Sequence, residues 1–171
     1  MVRALSLGRF QPFHNGHLHV ALEAAKWADE LLFGIAAATD SFEPDNPFTA
    51  GERSEMIDLA MREAGVDRFR AVAIPDIHNH AIWAGYVVSL CPPFDVVVAH
   101  NPLTLELFRE EGHEVREVPL IRRGQLSGTH VRALMAKGGR WEGLVPPAVA
   151  QYIKAIDGDG RMRRMVERAK A

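Results

Sequence analysis

The N-terminal stretch reads Val2-Arg3-Ala4-Leu5-Ser6-Leu7, then Gly8-Arg9-Phe10-Gln11-Pro12-Phe13-His14-Asn15-Gly16-His17. Residues 2–7 have the length and apolar content of a short buried strand, which Gly8 ends. From about Gly16 to Trp27 the apolar residues Leu18, Ala21, Leu22 and Ala25 recur at helical spacing. After Asp29, the run from Leu31 to Ala38 has strand length. Strand, helix and strand in this order make a βαβ unit, whose two strands are parallel.

The alternation continues along the chain. Thr49-Ala50-Gly51-Glu52 matches a capping box and opens a helix that the pattern carries to about Ala64, with Gly65 as its cap. Phe69 to Ile74 reads as a third strand, residues 80–90 as a helix, and Asp95 to Ala99 as a buried strand. A helix from Pro102 to Glu111 and a strand from Glu114 to Val118 follow. Helices are expected over 128–137 and 147–156, then a basic tail from Arg161, read as a solvated helix face. The expected fold is α/β: a doubly wound, Rossmann-like parallel sheet with helices on both faces and a helical C-terminal segment. Residues 1–171 are expected to form one domain, with 147–171 a helical extension of it. Ligands of such sheets bind beyond the carboxyl ends of the strands.

Composition narrows the function classes. The chain has 171 residues, 47% hydrophobic and 25% charged, with a formal net charge of -2. These values fit a soluble globular domain and argue against disorder and against nucleic-acid binding through bulk positive charge. Cys91 is the single cysteine, so no internal disulfide forms, and its apolar neighbours mark it as structural. No segment has the length of a membrane span or the layout of a signal peptide, so a cytoplasmic protein is expected.

The loop after the first strand carries the sharpest chemical signal. His14 and His17, three residues apart where a helix begins, can share one face. Gly16 allows close approach to the backbone, and the helix start offers free N–H groups to an anion. Arg9 adds a permanent charge whose fork matches phosphate oxygens. A single histidine near a helix start is commonly just solvated; two histidines, a glycine and an arginine in one turn point to a phosphate site. A zinc site lacks a third ligand at clear spacing. A second phosphate site is marked by Ser127-Gly128-Thr129, with Arg132 one turn into the helix. Arg122 and Arg123 precede it, as exposed basic residues or phosphate contacts.

His14-x-Gly16-His17 after a first strand resembles the signature of the nucleotidyltransferase superfamily. The string Gly8 to His17 is similar to that of the archaeal-type nicotinamide-mononucleotide adenylyltransferases. So are Asn46-Pro47-Phe48-Thr49-Ala50-Gly51-Glu52-Arg53, Pro92-Pro93-Phe94-Asp95, Asn101-Pro102-Leu103 and Ser127-Gly128-Thr129-x-Val131-Arg132. These blocks keep the family's order and spacing over nearly the whole chain.

The resemblance implies transfer of AMP from ATP to nicotinamide mononucleotide or its acid form, giving NAD and pyrophosphate. It implies catalytic roles for His14, His17, Arg9 and Arg132, and ATP-phosphate binding by Gly8, Phe10, Gly16, Ser127, Gly128 and Thr129. It assigns Asp76, Ile77, His80, Trp83 and Asn101 to the nicotinamide nucleotide, with Trp83 stacking on the pyridine ring. Magnesium bound through substrate, no protein metal site, and a homo-oligomer, often a hexamer, are also implied. The alternatives are adenylylation of pantetheine phosphate or flavin mononucleotide, or a nucleotide sensor without turnover. The chain departs from relatives at His80, where asparagine is common, at Ala36-Ala37-Ala38-Thr39, and at Asp45. Asn101 could orient a ligand or cap the helix that Pro102 begins.

Overall fold

A computed structural model describes residues 1–171. Five parallel strands, β1 (Arg3–Gly8), β2 (Glu30–Ala36), β3 (Phe69–Ile74), β4 (Val96–Ala99) and β5 (Glu114–Glu117), form one sheet in the order β3-β2-β1-β4-β5. The helices between them are α1 (Asn15–Ala25), α2 (Ala50–Glu63), α3 (His80–Leu90) and α4 (Pro102–Glu110). After β5 come α5 (Gly128–Lys137), a 3-10 turn at Glu142–Leu144, α6 (Pro147–Ala155) and α7 (Gly158–Lys170). The expected doubly wound fold is the observed one. The winding reverses between β1 and β4, and this switch point opens a crevice at the carboxyl ends of the strands.

Side chains alternate across the sheet, so each central strand feeds two cores. Ala4, Leu31, Phe33, Ile35, Val96 and Val98 face one side, against Val20 and Ala21 of α1, Met56 and Ile57 of α2, and Val131 and Met135 of α5. Leu5, Leu32 and Val97 face the other, against Ala84 and Val87 of α3 and Phe108 of α4. Burying each large side chain is worth about 1.5–3 kcal/mol, and together they fix the strand register on which the site depends.

Local signals act as the sequence indicates. At the start of α2, Thr49 Oγ1 accepts the Glu52 N–H at 3.1 Å, and the Glu52 carboxylate accepts the Thr49 N–H at 3.0 Å. Gly65, just past the end of that helix, takes φ +73°. The C-terminal segment departs from expectation. Helix α7 buries Gly158, Gly160, Met162 and Met165, and is a packed helix rather than a solvated basic tail. Its Arg161 pairs both guanidinium nitrogens Nη1 and Nη2 with Glu52, at 2.7 and 2.8 Å, and lies over the Phe42 ring. The last helix therefore anchors the start of α2 and the loop before it.

Candidate active site

The crevice holds a cleft of about 640 Å³. Its walls come from the ends of β1 and β2, the loops after β3 and β4, and the start of α5. Ser6 of β1 lies opposite Val98 of β4, and the same register carried two residues on brings His100 level with Gly8. Of the residues singled out in the sequence, Gly8, Arg9, Phe10, His14, His17, Ser127, Gly128, Thr129 and Arg132 line this cleft. Asp76, His80, Trp83 and Asn101 line it too; Gly16 and Ile77 do not.

His14 and His17 form a capping box for α1 built from imidazoles. His14 Nδ1 accepts the Gly16 N–H at 3.0 Å, and His17 Nδ1 accepts the His14 N–H at 3.1 Å. Each ring thus uses Nδ1 as an acceptor, so the neutral tautomer carries its proton on Nε2. The rings stack with centroids 3.7 Å apart, and Phe10 and Phe13 pack against His17 at 4.8 and 5.4 Å. Burial, then the charges of His100 and Arg132, lower the His14 pKa to about 4. Burial and His14 hold His17 well below the ordinary histidine value. Both rings are therefore neutral Nε2–H donors. Gly16 is needed for a further reason: a Cβ there would meet the His14 ring at 2.8 Å and the Leu126 carbonyl at 3.3 Å. The glycine thus makes room for the histidine ring. Phe10, buried with φ +52°, supports the His17 ring from below.

On α5, beside the histidine loop, Arg132 is buried, and its Nη1 donates to the Gln11 carbonyl at 2.9 Å. Its Nη2 lies 3.7 Å from the exposed Asp45 carboxylate. Burial and the neighbouring Arg9 lower its pKa, so the guanidinium sits where an anion relieves an electrostatic cost. Gly128 is required for this approach, because a Cβ would lie 2.8 Å from Arg132 Nη1 and 3.2 Å from the Gln11 carbonyl oxygen. Ser127 caps α5 by accepting the His130 N–H at 3.2 Å. The N–H groups of Gly128 and Thr129, in the first turn, have no intrahelical partner. Gln11 also fixes the loop: its side-chain amide exchanges two hydrogen bonds with the Phe48 backbone, at 2.8 and 2.9 Å. Arg9, exposed, reaches Asn46 at 3.3 Å.

Sequence reasoning overlooked Arg53. It is fully buried and donates to the carbonyls of Thr49, Arg9, Ala36, Ala37, Ala38 and Asp40. The Ala36-Ala37-Ala38 carbonyls are thus committed to holding the loop. Desolvation lowers the Arg53 pKa to about 10, still charged at neutral pH. It faces only carbonyls on one side, a polar role that apolar periodicity cannot reveal.

The far end of the cleft has a different character. Trp83 meets Phe108 edge-on at 5.9 Å, which backs its ring against the second core. Asn79 caps α3 by accepting the Ala81 N–H at 3.1 Å and is absent from the cleft lining, whereas His80 lines it. Asn101, which lines the cleft, likewise caps α4, its Oδ1 accepting from Leu103 and Thr104 at 2.9 and 3.3 Å. His100 and Arg123 also line the cleft. Partial desolvation and Arg123 lower the His100 pKa. Nothing in the local sequence around His100 singles it out; only the β1–β4 register does. Arg122 turns away to bond Gln125.

The residues present do not fit a resident metal: no group of three or more His, Cys, Asp or Glu converges.

The cytidylyltransferase-like family matches residues 5–134. A nicotinamide-nucleotide adenylyltransferase of Methanolobus tindarius is 44% identical, over 95% of this chain and 94% of its own length. One from Pyrobaculum aerophilum is 48% identical, over 95% and 93%. A bifunctional NMN adenylyltransferase/ADP ribose pyrophosphatase from Francisella tularensis superposes with a TM-score of 0.84 at 18% identity. That match covers 99% of this chain and 53% of the other, so the chain spans about half of that bifunctional protein and shares its fold there. With imidazole donors, buried arginine and two helix starts at the switch point, the chain belongs to the cytidylyltransferase-like family, among the nicotinamide-nucleotide adenylyltransferases.

Proposed function

We propose that the protein transfers AMP from ATP to nicotinamide mononucleotide, forming NAD and pyrophosphate. The observation that carries this reading is the convergence of His14, His17, Arg9 and Arg132 at one side of a cleft whose other end presents Trp83. The acceptor's 5′-phosphate oxygen attacks the α-phosphorus of ATP, and the bond from that phosphorus to the β-phosphate bridge oxygen breaks. The attacking phosphate is already an anion at neutral pH, so no base and no covalent enzyme intermediate are needed. Catalysis comes from alignment and from donors fixed in place before reaction.

Each group has a defined part. His14 and His17 donate from Nε2 to the α-phosphate and to the bridging oxygen, where negative charge grows. Arg132, Arg9 and the first turn of α5, with Ser127, Gly128 and Thr129, hold the β- and γ-phosphates. Gly8 and Phe10 shape the wall beside the α-phosphate. Trp83 offers its face to the pyridinium ring, an attraction of the cation–π kind. Asp76, His80 and Asn101 contact the same nucleotide. Magnesium bound through the triphosphate oxygens would help to offset the charge of the leaving pyrophosphate. The reading includes a cytoplasmic homo-oligomer: the thiol of Cys91 is free, and Ile82 and Leu90 of α3 are exposed.

The test is incubation of the protein with ATP, magnesium and a panel of acceptors, with products identified by mass. The panel holds nicotinamide mononucleotide, its acid form, flavin mononucleotide and pantetheine phosphate. NAD as the fastest product is expected. Another adenylylated product overturns the acceptor, and ATP binding without any product overturns the enzyme in favour of a sensor.

A further inference from the structure

The cleft carries its charge unevenly. Arg9, Arg123 and Arg132 line it, and Asp76 is the only carboxylate that does. An acidic side chain in a site that gathers polyanions is unfavourable near the phosphates. Asp76 follows β3, and His80 and Trp83 follow it on α3, across the sheet from α1 and α5. It is also fixed. One carboxylate oxygen accepts the His78 N–H at 2.8 Å, and the other lies 3.5 Å from His78 Nδ1. Its side chain is 37% exposed, so water screens it only partly.

We propose that Asp76 is a specificity-determining residue that selects a pyridinium mononucleotide bearing a neutral amide over one bearing a carboxylate. The assignment rests on the acceptor reading above. The pyridinium ring carries a fixed positive charge, which a fixed carboxylate at that end of the cleft attracts. A carboxylate substituent on the ring cancels that charge and brings a like charge toward Asp76. Trp83 favours the cationic ring in the same sense, so the two residues reinforce one preference.

The experiment measures kcat/KM for both mononucleotides with the wild-type protein and with Asp76→Asn, near pH 8 and at two salt concentrations. Asparagine retains the oxygen that accepts the His78 N–H, so the loop keeps its turn. The wild type is expected to favour the amide form. In Asp76→Asn the acid form is expected to gain relative to the amide by about tenfold, equivalent to ~1.4 kcal/mol. Raising salt to about 0.5 M should shrink the wild-type preference, because screening shortens the reach of an exposed charge, and should leave the variant's ratio nearly unmoved. A ratio unchanged in Asp76→Asn overturns the assignment while the acceptor reading stands, whereas a wild type that prefers the acid form overturns both. Adenylylation of neither mononucleotide overturns both.

Discussion

The imidazoles of His14 and His17 stack at 3.7 Å while each accepts a backbone N–H at Nδ1. The helix start thereby spends one nitrogen of each ring on structure and turns the other into a donor of known tautomer. The pair is coupled to folding through protons. Folded His14 has a pKa of about 4, below the ordinary 6.5. As pH falls from about 6.5 to about 4, the unfolded chain takes up this proton first, so stability is lost across that window. Below about 4 both states are protonated and His14 causes no further loss. The effect from His14 is at most ~3 kcal/mol, and His17 acts in the same direction. Urea midpoints measured between pH 7 and 4.5 should fall more steeply for the wild type than for His14→Asn, which keeps a capping acceptor. Equal slopes would contradict the coupling.

His17→Ala removes the fixed Nε2–H donor that the proposed mechanism sets against the reacting phosphate. The expected result is a kcat lower by about 10² to 10³, with the KM for ATP changed far less. Turnover within a few-fold of wild type would remove His17 from the chemistry.

Trp83→Ala should act on one substrate only. The KM for nicotinamide mononucleotide is expected to rise about tenfold, reflecting ~1–2 kcal/mol of lost stacking, and the KM for ATP to stay near its original value. Equal changes in both would make Trp83 a packing residue for Phe108 alone.

Gly128→Ala tests the approach of Arg132 to Gln11. The added methyl would meet a guanidinium nitrogen at 2.8 Å and a backbone oxygen at 3.2 Å, and the guanidinium is the part able to move. Displacing it should raise the KM for ATP by about tenfold, ~1.4 kcal/mol, with a thermal midpoint close to wild type. An unchanged KM would show that the clamp tolerates the shift.

Arg53→Met keeps the bulk of a buried side chain and removes every hydrogen bond it makes. Several loop carbonyls lose their partner, at a cost of about 3 kcal/mol or more. A urea denaturation curve measures this directly, and a loss under 1 kcal/mol would show that water replaces the guanidinium.

The order of strands and helices was legible because each element carries its own local signal: the Thr49–Glu52 box, the prolines at 92 and 93, the valine run at 96–98. The residues lining the phosphate side were legible for the same reason, since they cluster in two short loops. Groups whose role is set by distant neighbours were not. His100 gains meaning only beside β1, Arg53 only beneath two loops far from it in sequence, and Arg161 only against Glu52. That Gly16 also clears space for the ring two residues before it was not legible, because the contact depends on how His14 folds back over the helix start. Ile77, placed by resemblance, stands outside the cleft lining, whereas its neighbour Asp76 stands within it.

The bond from Arg132 to the Gln11 carbonyl joins positions separated by 121 residues. On the ribosome, the imidazole half of the cleft is therefore made early and the guanidinium half late. A nascent chain halted between the end of β2 and the start of α5 possesses a βαβ unit and both histidines, yet lacks the guanidinium that completes the cleft. A ligand that needs both halves of the cleft can therefore stabilise the fold only once the chain has been made through α5.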